Sequence, residues 1–220
     1  MMNVDRTLGE LVTELPAAAK VLHQHGLDFC CGGKQSFAHA CQAEGLDPEE
    51  IIREIEAQPS GSEKDVRWDQ RPLEDVIQHI LMTYHEPLKV EVPRLVDLAA
   101  KVEEVHADKP DCPNGLSKLL ADIQLAVESH LAKEEQILFP LIIAGRGQTA
   151  HMPVQVMLHE HDDHGRNLRR IRELTHDFRL PKDACASWRE LYRALGELAV
   201  ELMDHIHLEN NILFPRALAG

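Results

Sequence analysis

HLAKEEQILFP at 130–140 and its second statement, HIHLENNILFP at 205–215, decide how this chain reads. Each copy sets a histidine four residues ahead of a glutamate, His130 with Glu134 and His205 with Glu209. On an α-helix, residues i and i+4 lie one turn apart on one face. Each copy therefore aims an imidazole and a carboxylate at the same point. A single histidine precedes each pair at nearly the same distance, His85 before the first and His161 before the second. Four histidines and two glutamates in matching halves predict a metal site on a pseudo-two-fold axis. A lone histidine is more often packing than ligand, and the chain carries 14. The conjunction tips the balance, because burying this set without metal leaves costly unpaired polar groups.

Around these phrases four long amphipathic segments are expected, at about 72–107, 115–144, 150–178 and 184–218, broken by KPDCPNG, AGRGQ and RLPKD. Leu, Ala, Ile and Val with abundant Glu and Arg favour helices, and strand signals are absent. Short loops between long helices make neighbours antiparallel, so the fold class is all-α, an up-down four-helix bundle. His85 falls on the first helix, His130 and Glu134 on the second, His161 on the third, His205 and Glu209 on the fourth.

Residues 1–57 read as a small helical N-terminal domain, 58–70 as a linker, and 71–220 as the bundle. Pro16 opens a helix that stops at Gly26, FCCGGK makes a Gly-rich loop, and a helix over roughly 35–44 ends at Gly45. The next starts with Asp47 as N-cap, Pro48 at its first position and Glu50 placed to close a capping box. The linker sits where QPSGSEKD loses periodicity.

Cysteines stand at 30, 31, 41, 112 and 185, an odd number that points to thiols rather than a disulfide framework. Cys30 and Cys31 are adjacent. Neighbouring Cα atoms lie about 3.8 Å apart, too close for a relaxed disulfide, so the pair suits redox exchange, metal handling or reaction with an electrophile. Two buried small side chains at a loop are the plainer alternative. The net charge of −14 argues against nucleic acid and against an anionic membrane surface. No apolar run approaches the ~20 residues of a membrane span. MMNVDRTLGELVTELP lacks the basic start and apolar core of a signal peptide, so a cytosolic protein is expected.

Two carboxylates and four imidazoles describe two ions, each with two His and both Glu bridging. A bridging oxide or hydroxide would add a fifth ligand and leave a sixth position open. Mixed nitrogen and oxygen ligation favours iron, with manganese behind, zinc less natural, and calcium or magnesium disfavoured. The His-x-x-x-Glu spacing differs from the Glu-x-x-His of ferritin-like carboxylate bundles.

The chain resembles the di-iron iron–sulfur cluster repair proteins, the RIC family also called YtfE or ScdA, over nearly its whole length. LGELVTELPAAAKVLHQHGLDFCCGGK resembles that family's cysteine-bearing N-terminal domain. YHEPL, HLAKEEQILFP, EHDDHG and LMDHIHLENNILFPRAL resemble its hemerythrin-like bundle. The resemblance implies two irons per chain, oxo- or hydroxo-bridged, on His85, His130, Glu134, His161, His205 and Glu209, with Glu134 and Glu209 as bridges. It implies a thiol or redox role for Cys30 and Cys31. It implies repair of clusters damaged by nitrosative or oxidative stress by iron donation, with damaged iron–sulfur proteins as clients, in a cytoplasmic and often homodimeric protein. The competing readings are a nitric oxide-reducing enzyme and a sensor binding dioxygen or nitric oxide.

Several neighbours carry their own expectations. Pro87 should kink the helix after His85. His164 is close enough to support or replace a ligand. His207 should face solvent, Glu135 should be a solvated charge, and Glu160 and Asp162 should point away from His161.

Overall fold

A computed structural model describes residues 5–58 and 66–220, and among these the secondary structure is helical, apart from one isolated β-bridge between Thr7 and Ser36. The expected linker lies partly outside the described residues. Four short helices form the N-terminal unit: α1 (Leu8–Glu14), α2 (Ala18–Gln24), α3 (Phe37–Ala43) and α4 (Pro48–Glu56). Four long ones form an up-down bundle: α5 (73–105), α6 (116–143), α7 (His151–Leu174) and α8 (186–219). No helix among the described residues is long and apolar enough to cross a membrane.

Helix α1 was not anticipated. Its signal is a capping box, in which Thr7 Oγ1 accepts from Glu10 N–H and Glu10 Oε2 accepts from Thr7 N–H. At α4, Asp47 accepts from Glu49 N–H at 2.9 Å, and Glu50 does not complete the expected box. Gly26 and Gly45 take φ of +69° and +68°, the left-handed conformation that ends a helix. Helix α7 stops at Leu174, four residues short of its expected end. Thr175 donates its hydroxyl to Ile171 O and accepts from Phe178 N–H, turning the chain through three left-handed residues, His176 to Phe178.

The bundle interior has three tiers. One apolar cluster gathers Leu88, Leu95, Leu120, Val127, Trp188, Leu195 and Leu198 with their neighbours. A second, at the opposite end, gathers Val76, Ile80, Phe139, Met157, Leu213 and Phe214. On every helix the candidate ligands fall between residues of the first cluster and residues of the second. The polar set is thus a layer sealed above and below by hydrocarbon. The N-terminal unit has its own core, built on Phe29, Phe37, Leu11, Leu22 and Ile51.

Trp188 is fully buried and lies 17 residues before His205 on the same helix, about 25 Å along its axis. Trp188→Ala should cost about 3–5 kcal/mol of unfolding free energy in urea titration. Metal stoichiometry of the folded variant should be unchanged, because the void opens far from the polar layer.

Candidate metal centre

Three of the four bundle helices widen into a π turn at the polar layer: Leu81–His85, Glu134–Leu138 and Leu208–Leu213. In each, an N–H reaches five residues back: Glu86 to Leu81 O, Phe139 to Glu134 O, and Phe214 to Glu209 O. The residue after each of these donors is a proline: Pro87, Pro140 or Pro215. Proline lacks the N–H of the α ladder, and its ring collides with the carbonyl four residues back. A widened turn relieves both problems. The kink expected at Pro87 is therefore a π turn, and the proline of each LFP phrase has the same consequence. Pro93 lies within α5 without such a turn, so proline permits the distortion and does not impose it. Such turns recur at functional sites. Here they carry His85, Glu134 and Glu209.

The six predicted residues converge. His85, Glu134, His161 and Glu209 are wholly buried, and His130 and His205 nearly so. His85 Nε2 lies 3.1 Å from His205 Nε2, and His130 Nε2 lies 3.1 Å from His161 Nε2. Glu134 Oε2 is 3.4 Å from both His85 and His130. Glu209 turns Oε1 to His205 at 3.1 Å and Oε2 to His161 at 3.2 Å. Two groups result, His85–Glu134–His205–Glu209 and His130–Glu134–His161–Glu209, each compact enough to enclose one cation. Both glutamates belong to both.

The protein alone does not satisfy this arrangement. Both oxygens of Glu134 and Oε2 of Glu209 are buried without a hydrogen-bond donor, a cost of order 1–3 kcal/mol or more for each group. Burial, and then the charge of Glu209, push the Glu134 carboxyl well above its usual range. Burial works the same way on Glu209, but His205 and His161 beside it outweigh that and hold it well below. Burial and the neighbouring His161 press His130 down to about 2, which keeps its lone pair free. Paired Nε2 lone pairs and orphaned carboxylate oxygens are what a pair of cations would satisfy.

The outward nitrogens of His85, His130 and His161 are held as well, while Nδ1 of His205 is buried without a hydrogen-bond partner. His85 Nδ1 meets Glu135 Oε1 at 2.9 Å, and Lys89 Nζ pairs with the same carboxylate at 2.9 Å. His130 Nδ1 meets Glu160 at 2.9 Å, and Lys133 holds that one. His161 Nδ1 donates to Asn210 Oδ1 at 2.7 Å. Such partners fix the tautomer that leaves Nε2 free and raise its basicity. Glu135 is thus no solvated charge, and Glu160 serves the histidine of the neighbouring helix rather than its own neighbour. Asp162 is exposed, as expected. Glu160→Ala should weaken metal affinity about 10–100-fold, read by competition with a chelator, while helix content holds.

Two other histidines were read differently from sequence. His207 is buried, not solvent-facing, because Phe29 of the N-terminal unit packs edge-on against it at 5.5 Å and Asn211 bonds its ring at 3.1 Å. Burial brings it down to about 4. His164 packs edge-on against His130 at 5.0 Å, with neither nitrogen hydrogen-bonded. It belongs to neither four-residue group.

The N-terminal unit docks on this same tier. Asn211 donates to Phe29 O at 3.2 Å, and His23 meets Asp204 at 3.0 Å. Asn211 fits where side chains at Gly9 and Gly33 would collide with it. Cys31 Sγ comes within 3.3 Å of the backbone oxygen of His161. The hydrogen bond to Cys31, and then burial, raise the Cys30 thiol well above its ordinary range.

Residues 76–217 match the hemerythrin HHE cation binding domain, and residues 4–58 match ScdA_N, a domain of unknown function. Proteins named iron-sulfur cluster repair protein YtfE are similar from end to end. Those of Pectobacterium carotovorum and Escherichia coli O139:H28 are each 45% identical over 98% of this chain and 98% of their own. That of Musicola paradisiaca is 46% identical over 98% of this chain and 97% of its own. With a sealed layer of four histidines and two shared glutamates and a docked double-cysteine domain, the chain belongs to the hemerythrin-like YtfE family of iron–sulfur cluster repair proteins.

Proposed function

We propose that the protein repairs iron–sulfur clusters by donating iron from a di-iron centre held by His85, His130, Glu134, His161, His205 and Glu209, the two glutamates bridging. The observation that carries this reading is the sharing of both carboxylates between two His pairs, in a chain whose full-length relatives are named for cluster repair. The redox-active ions, when bound, supply open coordination positions at which a small ligand or a client can engage. The chain does the rest. Its apolar tiers exclude water, the Glu135 and Glu160 carboxylates orient His85 and His130, and Lys89 and Lys133 balance those carboxylates. Iron that must be passed on needs ligands that can let go, and imidazoles release a metal when protonated.

Residues 1–57 serve in this reading as a unit that positions thiols beside the bundle, and 58–70 as its tether. All five cysteines are free thiols, which fits a reducing cytoplasm. The name shared by the relatives favours repair over gas sensing or nitric oxide reduction. The test is anaerobic transfer. Iron-loaded protein mixed with an apo-cluster acceptor, sulfide and thiol should restore the acceptor's visible absorption, and Glu209→Ala protein should not. Sustained consumption of nitric oxide with a reductant, with all iron still on the chain, would instead favour the enzyme reading.

A further inference from the structure

Asp28, Cys30 and Cys31 form a compact ligand set outside the His/Glu layer, with their carboxylate oxygen and two sulfurs mutually close enough to share one ion. Consecutive side chains ordinarily diverge. Here Asp28 Oδ1 accepts from the N–H groups of both Cys30 (3.1 Å) and Cys31 (3.0 Å), folding the loop into a tight turn that brings both sulfurs to one side. The sulfurs stand 3.7 Å apart, and Cys30 Sγ is 3.2 Å from Asp28 Oδ1. Two sulfurs bound at about 2.3 Å to one tetrahedral ion would lie about 3.8 Å apart. The thiols therefore stand at the spacing of a shared ion, not at the ~2.05 Å of a disulfide.

The loop is also anchored to the bundle at the ligand tier. Asn210 accepts from His161 Nδ1 through its oxygen and donates to Cys30 O at 3.4 Å through its nitrogen. Cys31 Sγ contacts the His161 backbone oxygen, and Cys31 is partly exposed where Cys30 is buried. One set of side chains thus joins the wall of the di-metal layer to a thiol pair with an opening to solvent.

We propose that Asp28, Cys30 and Cys31 form a third metal site, which takes a thiophilic divalent cation, ferrous iron in the repair reaction, and holds it between the di-metal layer and a client. Each thiol gives up its proton as its sulfur takes the ion, so loading releases two protons and changes no oxidation state. Asp28 supplies the third ligand, and the fourth position stays open for water or a client's own ligand. Thiolates suit softer divalent ions better than the harder magnesium or calcium. The third site deepens the repair reading and rests on it for its cargo, although the site itself can be read out separately.

The experiment is an anaerobic titration of the metal-free full-length chain with cobalt(II). Expected is a third equivalent of bound ion, accompanied by a near-ultraviolet thiolate-to-cobalt absorption that the first two equivalents do not produce. Cys30→Ser/Cys31→Ser should bind two equivalents and lack the band, and Asp28→Asn should keep the band with affinity lowered about tenfold or more. Absence of the band in the wild-type chain overturns the proposal, as does a third equivalent that persists in the double variant. The wild-type spectrum decides the matter even if a variant misfolds. If the band appears but the His/Glu layer takes no ions, the thiol site stands and the di-iron reading fails.

Discussion

Glu134→Leu should stabilise the metal-free protein while destroying its metal centre. Glu134 is wholly buried, and neither oxygen has a hydrogen-bond donor. Without metal it contributes desolvation cost and little else. Burial pushes its carboxyl toward the neutral form, and exchanging a buried, unsatisfied polar group for an apolar side chain of similar size should be worth about 1–3 kcal/mol. For a chain of this length each kcal/mol moves Tm by about 2–4 °C. Adding ferrous iron should invert the order, since ligand at about 1,000 times its Kd adds roughly 4 kcal/mol to the protein that can bind it. The check is a set of four melts, wild type and variant, each with and without iron under anaerobic conditions. A metal-free variant that melts below metal-free wild type would falsify the view that this carboxylate is there for a cation.

Glu209→Ala should empty the centre where His205→Ala only halves it. The Glu209 carboxylate sends one oxygen to each histidine pair, at 3.1 Å and 3.2 Å, whereas His205 belongs to one pair alone. From about two irons per chain, His205→Ala should retain roughly one and Glu209→Ala well under one. Iron content per folded chain, after desalting, reads this directly. If the two variants lose iron equally, the ions are held as one cooperative unit, and the picture of two separable halves joined by bridges is wrong.

Much of the site was legible because helical periodicity is short-range. A spacing of four residues sets His130 with Glu134 and His205 with Glu209 on shared faces wherever the helices end up, and the doubled phrase reveals the pairing. The partners of the outward nitrogens were not legible. Glu160 sits beside His161 in the chain but binds His130 across the helix interface, and only the packing of α6 on α7 decides that. The π turns were half legible. The three prolines that follow them are plain in the sequence, yet Pro93 shows that a proline does not require one.

By itself, the sequence determined the all-α class, the four bundle helices to within a few residues and the convergence of six side chains. These follow from local propensity, capping and the 3.6-residue repeat. Tertiary structure alone decided that the unit docks over the ligand tier, burying His207 and bringing Cys31 against His161. Those outcomes depend on surfaces assembled from residues more than a hundred positions apart, and no local pattern in the chain encodes how such surfaces meet.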